Sequence, residues 1–384
     1  MRREPILVAM SGGVDSAVAA YLLMERGYRP VGLFLDPGPL RPRNHPSAVR
    51  ADTPAAPADA ADPAADARRA ADALGIPLET FAASADFDRL IDRLCGEYGR
   101  GRTPNPCARC NREIKFARLL ARADALGVRR VATGHYARVE WEAGRWRLKR
   151  GLDRAKDQSY FLATLPPAWL ERIRLPIGEM TKTTVRRLAA RLALPCRHAP
   201  ESQDVCFLAG SVGDLVRARR PDLVRPGPVL DTEGHELGRH EGVVDFTVGQ
   251  RRGLGVAVGE PRYVVAIWPG DAAVVVGPAE AVRACGLTAE GVVWHEPPPA
   301  EPVRARVQVR YRHTAAPAWV TRLDAADESA PSGDAPGRPG GSEPAGRAEV
   351  RFDEPLSAPA PGQAVVFYRD DRVMGGGWIA ETFD

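Results

Sequence analysis

ILVAMSGGVDS, residues 6–16, decides the fold of the first half of the chain, because an apolar run leads into two adjacent glycines and a helical run, residues 17–26, leads out. That order predicts a β-strand, a tight turn and an α-helix, with Gly27 just past the helix end. Adjacent glycines leave successive backbone N–H groups unobstructed at a helix N-terminus, where the helix dipole attracts anions. The stretch therefore predicts a phosphate-binding loop.

The spacing of this loop separates it from the two commonest nucleotide-binding motifs. It lacks the lysine and the spacing of G-x-x-x-x-G-K-[ST], and it does not fit G-x-G-x-x-G. It matches SGGxDS, the pyrophosphate-binding loop (PP-loop) of enzymes that cleave ATP between the α and β phosphates and adenylate a substrate. The alternative for so short a motif is an ordinary glycine turn with a serine or aspartate helix cap.

Strands and helices alternate over the first part of the chain. The predicted strands cover residues 6–10, 31–35, 78–81 and 130–133, and the predicted helices cover residues 17–26, 67–74, 87–98 and 112–126. This alternation is typical of a parallel sheet with helices on both faces. Ligands of such sheets bind outside the carboxyl ends of the strands, where we place the Ser11 loop, Leu35 and residues 133–135.

Short β-rich runs separated by Gly and Pro replace the helical pattern from about Val243 onward, which indicates a β-barrel or a β-sandwich. We predict an α/β catalytic domain with a doubly wound parallel sheet over residues 1–212, a small central domain over 213–286 and a C-terminal β-barrel over 287–384. Two segments poor in large apolar residues are predicted to be a mobile surface loop, 37–66, and a disordered hairpin insertion, 324–346.

Composition bounds the class of protein. The 384 residues are 44% hydrophobic and 27% charged, with a net charge of +4. No apolar run reaches the length of about 18 residues that a membrane span needs, and the N-terminus lacks a signal-peptide core. We expect a cytoplasmic monomer without membrane contact. Arginines cluster at 186–191, 217–220, 251–252 and 304–312, as expected of a surface that meets a phosphate backbone, although solvated Arg-rich faces are the alternative.

Two of the six cysteines stand in Cys107-Ala-Arg-Cys110, after a Pro-rich stretch that cannot be regular helix. If Asn111 caps the following helix, Cys110 lies near a helix N-terminus, which lowers a thiol pKa and favours the thiolate. A reactive thiol or a metal ligand is expected, although a single CxxC argues against structural zinc. We expect the remaining cysteines other than Cys206 to be buried apolar residues without a role: Cys95, Cys196 and Cys285.

Seven ordered motifs resemble those of the tRNA-specific 2-thiouridylases over nearly the whole chain. They are SGGVDS (11–16), GRTPNPCARCNREIKF (101–116), ATGHYAR (132–138), KDQSYFL (156–162), GEMTKTTVRRLA (178–189), ESQDVCFL (201–208) and FTVGQRRGLG (246–255). The resemblance implies an adenine nucleotide alpha hydrolase-like catalytic domain and a central domain that binds tRNA. It also implies the reaction: ATP, with Mg²⁺, adenylates O2 of the wobble uridine, and persulfide sulfur then displaces AMP to leave 2-thiouridine.

The resemblance also implies roles for individual residues. Cys110 corresponds to the nucleophile, Cys206 to the persulfide carrier and Asp15 to a catalytic residue of the ATP loop. The nucleotide site comprises Ala9, Met10, Ser11, Gly12, Gly13, Val14, Asp15, Ser16, Leu35 and Gly134. The tRNA contacts comprise Asn105, Pro106 and Cys107 at the target base, and elsewhere Lys156, Asp157, Gln158, Arg310 and Tyr311. The expected partners are tRNA and a sulfur-donor protein or cysteine desulfurase.

This chain departs from the family pattern at Cys107, where many members carry aspartate. Three thiolates, Cys107, Cys110 and Cys206, are the ligand set of a [4Fe–4S] cluster with one open iron, an alternative to persulfide chemistry alone. The loop after Leu35 also lacks the acidic and cysteine residues often seen there. Two rival functions stay open: another PP-loop ATP-dependent adenylating ligase, and a non-catalytic nucleotide-dependent RNA-binding protein.

Overall fold

The computed structural model describes residues 3–38, 63–199, 205–208, 210–256, 259–323 and 346–384. The chain divides into two compact units, the first formed by Met1–Arg93 and Pro106–Arg219 and the second by Leu94–Asn105 and Arg220–Asp384. The strands of the first unit are β1 (Glu4–Ala9), β2 (Tyr28–Asp36), β3 (Leu78–Ala82), β4 (Arg130–Ala132), β5 (Ala137–Glu142), β6 (Arg145–Arg150) and β7 (Ile173–Arg174).

Seven α-helices accompany these strands in the described part of the chain. They are α1 (Val14–Glu25), α2 (Pro63–Leu74), α3 (Ser84–Gly99), α4 (Pro106–Arg109), α5 (Ala117–Ala125), α6 (Lys182–Arg191) and α7 (Val212–Arg219). A π-helical segment, Cys110–Phe116, joins α4 to α5 without a break. Helix α3 runs from the first unit into the second.

The first unit contains a five-stranded sheet with the order β3-β2-β1-β4-β7, and each neighbouring pair is parallel. Ile6 and Val8 pack in one core with α1, α2 and α6. Leu7 is fully buried outside that core, and α5 packs against β1. Helices therefore cover both faces, and the doubly wound α/β prediction is confirmed. The strand order reverses at β1, the position where ligands of such sheets bind.

The predicted strand-turn-helix at the N-terminus is confirmed. The alanine-rich face of α1 is completely buried, so the helix packs closely on the sheet. Gly27 follows the helix with φ +84°, a conformation that favours glycine, and its N–H donates to the carbonyl oxygen of Met24.

The second unit is built from antiparallel strands. One sheet has the order β10-β11-β8-β9, with β8 (Gly227–Leu230), β9 (Glu236–His240), β10 (Tyr263–Trp268) and β11 (Ala273–Gly277). Its β8–β11 pair alone is parallel. Six further strands form a closed antiparallel barrel: β12 (Arg283–Trp294), β13 (Val303–Gln308), β14 (Ala316–Leu323), β15 (Gly346–Ser357), β16 (Ala364–Arg369) and β17 (Arg372–Phe383). The predicted C-terminal β-barrel is confirmed.

Several predicted boundaries differ from the structure. Of the predicted loop 37–66, residues 39–62 lie outside the described residues, but Pro63 begins α2, since proline suits the first helical position. Of the predicted insertion 324–346, residues 324–345 lie outside the described residues, whereas Gly346 begins β15. The helix predicted from Arg112 belongs to a helical run that begins at Pro106. The three-domain boundaries stay a prediction.

Candidate active site

The loop between β1 and α1 has the features of a phosphate cradle. Gly12 has φ +80°, and a Cβ there would lie 2.5 Å from the Cβ of Asp66, so glycine is required. Gly13 is the N-cap residue of α1, and no side chain at this position accepts a hydrogen bond from the first turn of the helix. The serine or aspartate cap of the alternative interpretation is therefore absent from this helix, and the N–H groups of its first turn are left for an anion.

Hydrogen bonds within the loop fix its shape. The hydroxyl group of Ser16 donates to the carbonyl oxygen of Gly13 at 3.0 Å and accepts from the N–H of Ser11 at 3.2 Å. Met10 is buried and its N–H donates to the carbonyl oxygen of Leu33 on β2. Ala9 ends β1, and Leu35 lies near the end of β2, so both stand at the carboxyl edge of the sheet as predicted.

Asp15, in the first turn of α1, is held by two donors from distant parts of the chain. Lys182 Nζ lies 2.8 Å from each carboxylate oxygen, and the hydroxyl group of Tyr136 donates to Oδ1 at 2.8 Å. Lys182 is the first residue of α6. Sequence reasoning assigned no role to Lys182 or Tyr136, although both lie within motifs of the resemblance.

The segment that follows β4 connects the glycine loop to the cysteine-bearing helix. A Cβ on Gly134 would lie 2.6 Å from the carbonyl carbon of Asp15, so only glycine permits this approach. The His135 ring stacks on the ring of Phe116 with centroids 5.8 Å apart, and its Nδ1 lies 2.7 Å from the hydroxyl oxygen of Thr133. Burial, and secondarily the charge of Lys115, lowers the pKa of His135 well below its ordinary range, so the imidazole is neutral.

The structure contradicts the expected thiolate at Cys110. The helical run begins four residues earlier, at Pro106, so Cys110 does not stand at a helix N-terminus. Burial raises the pKa of the Cys110 thiol to about 12, and the charge of Lys115 only partly opposes this. The prediction was wrong because desolvation of the charged form outweighs nearby positive charge.

Cys107, Cys110 and Cys206 share one electrostatic environment. Burial raises the pKa of Cys107, and a negative charge on Cys206 raises the pKa of both other thiols further. Cys206 is an exposed residue, yet the surrounding protein desolvates its sulfur and raises its pKa, while Lys115 acts in the opposite direction. All three are free cysteines. The charges of the three thiols therefore affect one another, and their roles in the reaction stay a prediction.

The other cysteines differ in part from expectation. Cys95 and Cys196 are buried as expected, but Cys285 is exposed because it occupies an outward position in the alternating pattern of β12. Within the described ranges, one group of three ligand-type side chains lies within 4.8 Å, at an exposed turn: Asp231, Glu233 and His235. Among the side chains that the structure describes, Cys107, Cys110 and Cys206 do not form such a group within 4.8 Å.

The predicted tRNA-contact segment 156–158 includes two residues with internal roles. The buried carboxylate of Asp157 accepts hydrogen bonds from the N–H groups of Gly151 and Ser159, from the Ser159 hydroxyl group and from Arg150 at 2.9 Å. Gln158 Oε1 accepts from the N–H of Tyr136 at 2.9 Å. Lys156 is half-buried. Their contact with tRNA stays a prediction.

The remaining predicted tRNA contacts are divided between the two units. Pro106 and Cys107 belong to the first unit, whereas Asn105, which is buried, belongs to the second. In the second unit, the guanidinium group of Arg310 donates to the carbonyl oxygens of Ser357, at 3.1 Å, and Ala358. Tyr311 lies under the guanidinium group of Arg312. The roles of these residues in RNA binding stay predictions.

Comparisons with known proteins agree on one family. Proteins named tRNA-specific 2-thiouridylase MnmA match nearly the whole chain: the protein from Chloroflexus aurantiacus is 44% identical over 98% of both chains, and that from Syntrophotalea carbinolica is 43% identical over 99% of both. A solved structure of a predicted tRNA methyltransferase subunit from Methanocaldococcus jannaschii aligns with a TM-score of 0.30 at 18% identity, covering 49% of this chain and 76% of that one. So weak a structural match carries no argument.

Three family models also match. They are described as the tRNA methyl transferase HUP domain, at residues 4–210, the tRNA methyl transferase PRC-barrel domain, at 218–278, and the aminomethyltransferase beta-barrel domain, at 342–379. Among the described residues, no helix combines the length and the apolar character that crossing a membrane would require.

Proposed function

The chain belongs to the tRNA-specific 2-thiouridylase family, and from that premise we propose that it is an ATP-dependent sulfurtransferase that converts the wobble uridine of tRNA to 2-thiouridine. One observation carries the proposal. Residues 133–136 contact the glycine loop through Gly134 and Tyr136 and the helical run that bears Cys107 and Cys110 through His135, which supports a nucleotide site and a thiol site in one unit.

ATP is the proposed cofactor, and the residues present fit it. The uncapped N-terminus of α1 offers N–H groups to phosphate. A side chain larger than that of glycine at position 12 would collide with Asp66. We assign Leu35 and Gly134 to the adenosine. The phosphate contacts are assigned to Ser11, Gly12, Gly13, Asp15 and Ser16, and Ala9, Met10 and Val14 complete the proposed nucleotide site. Mg²⁺ prefers carboxylate and phosphate oxygens, and Asp15 supplies such a carboxylate.

The proposed chemistry needs two steps because a urea-like carbonyl oxygen is a poor leaving group. The uridine O2 attacks the α-phosphorus of ATP, and pyrophosphate leaves. The outer sulfur of a Cys206 persulfide then attacks C2, and AMP leaves with the former O2. Cys110, once deprotonated, attacks Cys206 Sγ, so the sulfur–sulfur bond breaks and a Cys110–Cys206 disulfide forms, which an external thiol must reduce.

The cysteine at position 107 adds a third thiol to those of Cys110 and Cys206, which allows a second route. Cys107, Cys110 and Cys206 would hold a [4Fe–4S] cluster, whose open iron supplies a binding site for hydrosulfide. Anaerobic purification followed by iron and sulfide analysis distinguishes the routes. Full activity of an iron-free Cys107→Asp variant would exclude an obligatory cluster, and loss of iron together with activity would support one.

The proposed partners are tRNA and a protein that delivers sulfur, either a dedicated donor or a cysteine desulfurase. Cytoplasmic location and a monomeric state stay predictions. The two rival functions predict different products: an amidating ligase of the same fold would incorporate nitrogen, and a non-catalytic RNA-binding protein would consume no ATP.

Mass analysis of tRNA nucleosides tests the proposal. The protein is incubated with unmodified tRNA, ATP, Mg²⁺, cysteine and a cysteine desulfurase, with ATP omitted in parallel. We expect ATP-dependent 2-thiouridine together with AMP. Cys206→Ser should form AMP without 2-thiouridine, whereas the matched control Cys285→Ser, which removes an exposed thiol outside the site, should retain both products. Undiminished thiolation by Cys206→Ser would remove this residue from the mechanism.

A further inference from the structure

We propose that Lys182 is a phosphate-binding residue, which the free protein holds on Asp15 and which moves to the phosphate chain of the nucleotide when Asp15 binds a divalent cation. The inference deepens the proposed function and rests on it. Lys182 would then have two alternative anionic partners at the glycine loop: Asp15 in the free protein and the phosphate chain in the nucleotide complex.

The ion pair is close and shielded from water. Lys182 Nζ lies 2.8 Å from both Asp15 oxygens, and the two side chains are 12% and 32% exposed. The ammonium group also lies 5.7 Å from the centre of the Tyr136 ring, which stabilises a positive charge. A cation at this depth needs an anionic partner, because leaving a buried charge unpaired is costly.

The position of Asp15 makes the pair an obstacle to phosphate unless it rearranges. Asp15 stands in the first turn of α1, beside the uncapped N–H groups that would receive the anion. In the free protein Lys182 neutralises this carboxylate, so its ammonium group can turn to a polyphosphate without exposing the phosphate to repulsion only if another cation takes its place on Asp15. A divalent cation on Asp15 neutralises the carboxylate and displaces the ammonium group. The incoming phosphate then provides the partner that Lys182 has lost.

Helix α6 is anchored so that only the Lys182 side chain must move. The backbone N–H of Lys182 donates to Asp153 Oδ2 at 2.9 Å, and Thr181 caps the helix by accepting from the N–H of Thr184. The flexible four-carbon stem of lysine allows its ammonium group to change partners without a movement of the helix.

The proposal predicts effects of opposite sign for the two partners. Isothermal titration in the presence of Mg²⁺ should show that Lys182→Met weakens binding of ATP and of inorganic tripolyphosphate about tenfold or more, the loss of one charge-assisted contact. Adenosine binding should not change. Asp15→Asn, by contrast, releases Lys182 from this ion pair and removes the negative charge of the carboxylate, so metal-free ATP should bind more tightly than to the wild type, and the gain in affinity on adding Mg²⁺ should disappear.

Matched variants separate a binding role from a structural one. Lys149→Met removes another shielded lysine, 13% exposed and paired with Glu140 and Glu142, and should leave tripolyphosphate binding unchanged. Lys182→Arg should restore part of the affinity. If Lys182→Met does not fold, the comparison of Asp15→Asn with Asp15→Asn/Lys182→Met, in which both charges are gone, should show the same tenfold loss.

Two results would overturn the proposal: unchanged tripolyphosphate affinity on removal of Lys182 in the presence of Mg²⁺, or a loss, rather than a gain, of metal-free ATP affinity in Asp15→Asn. The second result would mean that the ion pair only supports the loop. Failure of the proposed function gives a different result, because the wild-type protein would then bind neither ATP nor tripolyphosphate.

Discussion

The hydroxyl group of Tyr136 donates a 2.8 Å hydrogen bond to the carboxylate of Asp15, 121 residues earlier in the chain. The backbone N–H of the same tyrosine donates to Gln158 Oε1, and its carbonyl oxygen accepts from the N–H of Gln158. Tyr136 therefore joins the glycine loop to the segment in which tRNA contacts are predicted. Removal of the Tyr136 hydroxyl group should therefore disturb the orientation of Asp15 more than it lowers the stability of the protein.

Tyr136→Phe should slow ATP-dependent thiolation about tenfold, because Asp15 keeps only Lys182 as a side-chain donor in the described site. The free energy of unfolding should fall by only about 1 kcal/mol, the usual contribution of one hydrogen bond. Single-turnover thiolation and urea unfolding measure the two effects. Tyr21→Phe, on helix α1, is the control and should change neither. Equal thiolation rates in wild type and Tyr136→Phe would show that the hydroxyl group does not position Asp15.

Asp157→Asn should destabilise the protein by about 2 to 4 kcal/mol, because the amide cannot accept all four hydrogen bonds of the buried carboxylate and the ion pair with Arg150 is lost. Thermal unfolding measures this loss. Lys156→Ala, one residue away, should leave the unfolding temperature unchanged and weaken tRNA binding, measured by filter binding. A weakened tRNA affinity of Asp157→Asn at undiminished stability would instead support a direct tRNA contact by the carboxylate.

Cys110 should react slowly with iodoacetamide at pH 7, because burial raises its pKa to about 12 and the thiolate is the reactive form. Below the pKa the thiolate fraction grows about tenfold per pH unit, so the alkylation rate should still be rising between pH 8 and 9.5. Peptide mass analysis gives the rate, with exposed Cys285 as the reference in the same sample. Lys115→Met should slow the reaction further, since Lys115 lowers this pKa. A plateau below pH 9 would contradict the assignment.

The neutral, buried His135 should make the protein less stable in acid. Its folded-state pKa lies well below the ordinary value of 6.5, so the unfolded chain binds the proton more tightly and stability is lost as the pH falls below about 6.5. Between pH 7.5 and 5.5 the free energy of unfolding should fall about 1 kcal/mol more in wild type than in His135→Asn, measured by urea titration. The remaining histidines contribute equally to both proteins. Identical pH dependence of the two proteins would contradict a depressed pKa.

Local patterns sufficed to predict the sheet, the glycine loop and the end of α1. Each of these elements depends on residues that are neighbours in sequence: the apolar run at Ile6 for the strand, the paired glycines for the loop and Gly27 for the helix end. Such elements can be recognised from the sequence alone. The same reasoning placed Leu35 and residues 133–135 at one edge of the sheet, since parallel strands end together. The short strands after Val243 indicated a β-barrel or a β-sandwich, because the pattern of short strands does not show whether the first and last strands of a sheet pair.

Properties that depend on distant residues could not be predicted. Lys182 is an ordinary residue at a helix start, and its partner lies 167 positions earlier. The pKa of Cys110 depends on burial, which the CxxC spacing does not encode, and the π-helical turn that carries it has no recognisable pattern. Asp157 was assigned to tRNA by resemblance, whereas its internal hydrogen bonds arise from the way segment 150–159 folds.

The central claim is that the uridine oxygen becomes part of the AMP leaving group, and isotope transfer measures it directly. A tRNA or anticodon stem-loop with ¹⁸O at O2 of the wobble uridine is incubated with the protein, ATP, Mg²⁺ and the sulfur donor, and the AMP is analysed by mass spectrometry. We predict one ¹⁸O atom in each AMP formed with 2-thiouridine, and no AMP from Asp15→Ala. AMP without the label, formed alongside 2-thiouridine, would contradict activation of the base through its oxygen.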